Sequence, residues 1–256
     1  MQHGLPEPGK LLIGTSGWSY KHWERGVFYP ETLKPAEYLA FYAQNFSTVE
    51  INYSYYRLPP RSTFELWRRK SPPAFVFAAK ASRYLTHMKK LKEPEEPLAR
   101  LMEHAAGLGR KLGPVLFQFP RQWQLNLDRL AQFLQALKAH PRHRYAFEFR
   151  HKTWLTDQVY GLLRAHKAAL CLPIGWGIPL DIQLTTRWTY LRFHGGANSI
   201  AFTDDELRPW AERLRDWRQD GIDSYSYFNN DTLENGRAPA IDNARRLREL
   251  VATQDV

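Results

Sequence analysis

Short runs of β-branched and aromatic residues alternate along this chain with longer stretches whose apolar positions recur every three to four residues. The short runs predict strands at 11–16, 48–53, 75–80, 114–119, 144–150, 169–174, 189–194 and 222–229. The longer stretches predict amphipathic helices at 35–46, 95–111, 127–139, 157–167, 204–219 and 240–251. Thr203 and Glu206 have the spacing of a capping box ahead of the 204–219 stretch. Residues 175–188 show no helical stripe, so the sixth βα unit is expected to be irregular, a loop or a degenerate helix. Eight strands alternating with helices over 256 residues predict an α/β fold: one domain, residues 1–256, closed as a (β/α)8 TIM barrel. An open doubly wound sheet is the alternative. The GTSGW segment after the first strand is neither a dinucleotide fingerprint nor a Walker loop.

In a barrel, alternate strand residues face the interior, and functional groups gather at the C-terminal strand ends. Polar residues collect late in six of the predicted strands and on one face of each. They are Glu50 and Asn52, Lys80, Gln118, Glu148 and Arg150, Arg192 and His194, and Tyr227 and Asn229. Trp18, Tyr20 and Trp23, just past the first strand, are candidates for an aromatic rim that stacks on a base or sugar ring. The competing reading of the charged set is a structural network, with pairs such as Glu50–Lys80 or Glu148–Arg192. A buried charge costs several kcal/mol unless it is paired.

Charge sharpens the picture. Lys and Arg number 36 against 26 Asp and Glu, a net charge of +10, which favours anionic partners. Residues 61–92 carry nine basic side chains and one acid, Glu65. A single cysteine, Cys171, excludes an intramolecular disulfide framework and a Cys-cluster zinc site. It falls in mid-strand and reads as core. No apolar run approaches the roughly 20 residues needed to cross a bilayer, and MQHGLPEPGK has no apolar signal-peptide region. The expectation is a cytoplasmic protein without membrane contact.

Ordered motifs cover nearly the whole chain: IGTSGWSYKHW at 13–23, VEINYSYYRLP at 49–59, FAAKASRYLTH at 77–87, KLGPVLFQFP at 111–120, FEFRHKTW at 147–154, RFHG at 192–195 and NNDTLENGRAPAIDNA at 229–244. With them the sequence resembles the YecE-like family, the domain of unknown function seventy-two. That family is similar to the TIM-barrel group containing endonuclease four and xylose isomerase. The resemblance implies a barrel and supplies no reaction. The chain departs from the family pattern in the 173–202 loops. Pro173 stands where an Asp is usual, and Phe202 where a Tyr is common.

Two chemistries compete. Multi-metal phosphodiesterase barrels gather several His with Asp and Glu. Here His87, His194, Glu50, Glu148 and Asp231 lie near strand ends, but Lys80, Arg150 and Arg192 share that face and repel a metal ion. No cofactor is evident, and a single divalent ion is not favoured. The anion-pocket reading uses Lys80, Arg150 and Arg192 for phosphate or carboxylate, oriented by Gln118, Asn52 and Asn229. Glu50 and Glu148 would be acid and base, with His194 as proton shuttle. The first expectation is therefore a phosphate-ester enzyme with phosphodiesterase-like hydrolysis, its ligand an anion, single- or double-stranded nucleic acid included. The alternatives are a carbohydrate isomerase or glycosidase using Glu50 and Glu148, and a nucleic-acid-binding protein without turnover.

Overall fold

The computed structural model describes residues 7–253. Residues 1–6 and 254–256, which include part of the stretch read as lacking a signal peptide, lie outside the described residues. All eight expected strands form: β1 (Leu11–Thr15), β2 (Thr48–Ile51), β3 (Val76–Lys80), β4 (Leu112–Gln118), β5 (Tyr145–Glu148), β6 (Ala169–Ile174), β7 (Trp188–Phe193) and β8 (Asp223–Phe228). They pair in parallel in the order β1-β8-β7-β6-β5-β4-β3-β2. The end strands β1 and β2 meet through a bridge between Ser16 and Glu50 and through the Gly17 N–H, donated to the Glu50 carbonyl at 2.8 Å. The sheet therefore closes as a (β/α)8 barrel rather than lying open.

The β1–β2 seam is closed by a side chain as well as by backbone. The Tyr42 hydroxyl accepts from the Thr15 N–H at 2.9 Å and donates to the Thr48 carbonyl at 3.1 Å. It stands in for ladder hydrogen bonds that these strands do not make to each other there. Gly14 lies so close to β2 that an added Cβ would sit 2.2 Å from the Thr48 oxygen.

The helices are α1 (Tyr38–Asn45), α2 (Tyr53–Tyr56), α3 (Arg61–Lys70), α4 (Glu95–Ala105), α5 (Leu127–Ala136), α6 (Asp157–Ala165), α7 (Asp204–Gln219) and α8 (Pro239–Ala252). Six match the predicted stretches. The capping box forms: Thr203 Oγ1 accepts from the Glu206 N–H, and the Glu206 carboxylate accepts from the Thr203 N–H at 2.7 Å. The single turn α2 and the basic helix α3 are not expected from periodicity. In α3 only Phe64 is buried, and the polar majority masks the stripe. Between β6 and β7 there is no helix, as the missing stripe in 175–188 foretold. Gly175 has φ +95°, and an added Cβ there would meet the Gly195 carbonyl oxygen at 2.0 Å. The loop after β6 is thus pressed onto the loop after β7. That second loop is tied to the segment after β8 by Glu234, whose carboxylate accepts from Ser199 Oγ and from the Ile200 and Ala201 N–H groups.

One apolar layer fills the space between strands and helices. A smaller one fills the barrel below the mouth and includes Ala78, Leu116, Ala146, Cys171, Tyr190 and Tyr227. Cys171 is core, with burial pushing its thiol pKa well up. Among the described residues no helix is long and apolar enough to cross a membrane.

Candidate functional site

Above that inner layer the strands carry charge. Arg192 on β7 is fully buried and donates to two carboxylates. Its Nε and Nη2 reach Glu50 on β2 at 3.0 and 2.9 Å, and its Nη1 reaches Glu148 on β5 at 2.7 Å. Nη2 also reaches Asn229 Oδ1 at 2.9 Å. The Tyr190 hydroxyl donates to Glu50 at 2.7 Å, and Arg150 Nε donates to Glu148 at 2.5 Å. Planar guanidinium forks suit such sharing. Burial alone would raise the pKa of Glu50, but Arg192, Lys80 and the Tyr190 hydrogen bond more than offset it and hold it low. For Glu148 burial is likewise outweighed, by Arg150, Arg192 and His194, and its pKa falls well below the usual carboxylate range. Both are ionised at neutral pH.

His194 Nε2 lies 3.6 Å from Glu148, too long for a hydrogen bond. It has no hydrogen-bond partner among the described residues. Burial pushes the imidazole pKa down to about 4 in spite of Glu148, so it is neutral at pH 7.

Lys80, at the end of β3, is 8 % exposed. The sequence suggests Glu50 as its partner, but Arg192 takes both Glu50 oxygens, and Lys80 forms no ion pair among the described residues. The turn α2 holds it instead. Ser54 Oγ donates to the Lys80 carbonyl at 2.6 Å, and the amine lies 4.2 Å from the Tyr55 ring centroid. Burial, then Arg192, lower its pKa to about 7 against the opposing pull of Glu50 and Glu148. Tyr55 in turn contacts His87 Nε2 through its hydroxyl at 3.1 Å.

The mouth opens into a cleft of about 1100 Å³. Of the expected site residues, Trp18, Tyr20, Asn52, Lys80, Gln118, Arg150 and Asn229 line it. Glu50, Glu148, Arg192, His194 and Tyr227 are buried and are not among the lining residues. Tyr227 belongs to the inner layer, bonded to Thr48 Oγ1 at 2.8 Å. Trp23 is not a rim residue: it is fully buried against Tyr20 and Phe28. Its short 3-10 turn folds back and puts Tyr20 between it and the cleft. Of the nine cations in 61–92 only Lys80 lines the cleft; Arg57, Arg121 and Arg150 come from elsewhere. Tyr53, Tyr55, Tyr56, Arg57 and Arg121, unmarked by strand alternation, also line the cleft, as do His87 and Asp231, which the sequence suggests only as metal donors. The available signal was the aromatic run YSYYR directly after a barrel strand. Among the described residues no group of three His, Cys, Asp or Glu side chains is placed to hold a metal ion.

These features define a (β/α)8 barrel with an arginine-clamped carboxylate pair beneath an eccentric, aromatic and cationic mouth. The chain belongs to the DUF72 family, described as proteins of unknown function, whose model matches residues 12–256. It is 25% identical over 274 residues to the UPF0759 protein YunF of Bacillus subtilis, spanning 94% of each chain. A DUF72 family protein from Thermotoga maritima superposes with a TM-score of 0.81 at 28% identity, covering 95% of this chain and 100% of that one. A DUF72 family protein from Enterococcus faecalis does so with a TM-score of 0.78 at 19% identity, over 96% and 97%.

Proposed function

We propose that the cleft binds a small compound carrying a phosphate or carboxylate and a ring. One observation carries this reading: Arg57, Arg121 and Arg150 line the cleft, with Asp231 the sole carboxylate among its lining residues. Arg150 gives only its Nε to Glu148, leaving its Nη groups to face an anion. Trp18, Tyr20, Tyr55 and Trp67 add apolar faces for a ring. The volume suits a small molecule, and the dispersal of the 61–92 cations gives less support to a polynucleotide track. Glu50 and Glu148 are committed to Arg192, so neither phosphodiester hydrolysis nor the paired-carboxylate sugar reading draws support from them. Proton transfer, where turnover occurs, would fall to Lys80, His87 and Asp231.

The test is calorimetric titration with ribose 5-phosphate, ribose and a short oligonucleotide at two salt concentrations. Ribose 5-phosphate should bind, more weakly at high salt. Arg121→Ala should weaken it about 10-fold or more, the scale of one lost charge-assisted hydrogen bond. Equal affinity for ribose overturns the anion reading. Binding of the oligonucleotide alone, indifferent to Arg121→Ala, moves the activity to the outer surface.

A further inference from the structure

Lys80 is poorly explained as a simple anion ligand. Around it, Glu50, Glu148, Arg192 and Arg150 already sum to zero charge through their mutual ion pairs. His194 adds none, and His87, whose pKa burial above all pushes down to about 4, is also neutral. An ammonium at Lys80 is therefore a surplus buried cation with no carboxylate in hydrogen-bond contact, among the described residues. Its remaining contact, the Tyr55 ring face, favours a cation by only about 0.5–2 kcal/mol. Desolvation and two nearby guanidinium groups lower the amine's proton affinity so far that a substantial share is free amine at neutral pH, at a barrel mouth. The lone pair belongs to an atom held from behind, because Ser54 fixes the Lys80 backbone. The Tyr55 ring beneath it is fixed by a chain of hydrogen bonds. Tyr55 contacts His87 Nε2, and His87 Nδ1 contacts Thr86 Oγ1 at 2.9 Å.

We infer that Lys80 is a nucleophilic amine that forms an imine with an aldehyde or ketone whose anionic group is held by the cleft arginines. This rests on the anion reading above and adds a reaction to it. The Nζ lone pair attacks the carbonyl carbon, a C–N bond forms, and the carbonyl π pair moves to oxygen. One proton passes from nitrogen to that oxygen, giving a neutral carbinolamine. The nitrogen pair then forms C=N as the hydroxyl leaves, taking the remaining N–H proton with it as water. Lys80 is thus a catalytic residue, whereas Tyr55, fixed by His87, orients the amine.

The experiment is imine trapping on the full chain. The protein is incubated at pH 7 with glycolaldehyde phosphate or with neutral glycolaldehyde, reduced with cyanoborohydride, and mapped by peptide mass spectrometry. Each trapped imine becomes a stable secondary amine on one lysine. The expected result is labelling of Lys80 at least 10-fold faster than any other lysine with the phosphorylated probe. His87→Ala should slow trapping without weakening the binding of inorganic phosphate, a split that a merely structural role would not give. Uniform labelling of lysines overturns the proposal, and that reading uses only the wild type, so it survives a Lys80→Met variant that fails to fold. Phosphate binding without Lys80 trapping rejects the amine and keeps the anion site. Equal trapping of neutral glycolaldehyde at Lys80 keeps the amine and rejects the anion site.

Discussion

Arg192 and Glu50 are joined by two hydrogen bonds, Nε at 3.0 Å and Nη2 at 2.9 Å, inside a barrel where both side chains are fully buried. The same guanidinium holds Glu148. One cation thereby spans the barrel from β2 to β5, and the carboxylates depend on it for their solvation.

Arg192→Met should be severely destabilising. Removing one partner of a buried pair costs about 3–5 kcal/mol, and here two carboxylates lose it together. The urea midpoint should fall with little change in slope. Adding Glu50→Gln and Glu148→Gln to Arg192→Met should recover part of the loss. An unchanged midpoint in the single variant would refute the clamp.

Acid should attack the same place. Both carboxylates have folded pKa values below the unfolded value, which is about 4.3 for Glu. Their contribution is complete above about pH 5 and is lost as pH falls through the folded values. A stability–pH curve should slope down below pH 5, and Glu148→Gln should flatten that slope. A variant with the wild-type slope would show that Glu148 is not held low.

Lys80 acts in a more alkaline window, through a penalty on its charged form. Its folded pKa of about 7 lies below an unfolded value of about 10.4. Between these, the unfolded chain holds the extra proton, so stability from this residue rises with pH across that window. Below pH 7 the penalty is complete. Lys80→Met should stabilise the protein at pH 7 by on the order of a few kcal/mol and remove the alkaline rise. A destabilised variant would mean that the amine is charged and compensated.

Tyr42→Phe should cost about 1–3 kcal/mol, because the Thr15 N–H and the Thr48 carbonyl lose a buried partner together. Chemical denaturation measures it. Amide exchange at Thr15 should accelerate first if the β1–β2 seam is the part that opens.

The strand pattern was legible because parallel barrel strands are apolar on the outer face and polar only at the end of the inner one. Glu50, Lys80, Glu148 and Arg192 announced themselves by that alternation. The Glu148–Arg192 pair was legible too, but the partner of Glu50 was not. Spacing cannot tell whether Glu50 turns to Lys80 or to Arg192, since that depends on reach across the barrel. The long side chain of Arg192 wins by spanning it. Helix α3 was hidden because one buried Phe64 is too little periodicity to stand out among Arg and Lys. Trp23 misled because an aromatic after a barrel strand reads as rim, whereas its turn folds back into the core.

The cleft draws its walls from the segments after β1 to β5 and β8, and none from those after β6 and β7. The Gly175–Gly195 contact and the Glu234 ties bind the remaining loops into a continuous closed lip. The cleft is therefore off-axis, over one half of the rim. The other half is closed by packed loops, and it contains Pro173 and Phe202, the positions that the sequence resemblance marks as unusual. Phe202 is packed between Phe193 and Phe228. Sequence drift in that half is constrained by packing and not by what enters the cleft, so relatives that differ there are expected to share a ligand, while changes around Tyr55, Lys80 or Arg121 would mark a change of specificity.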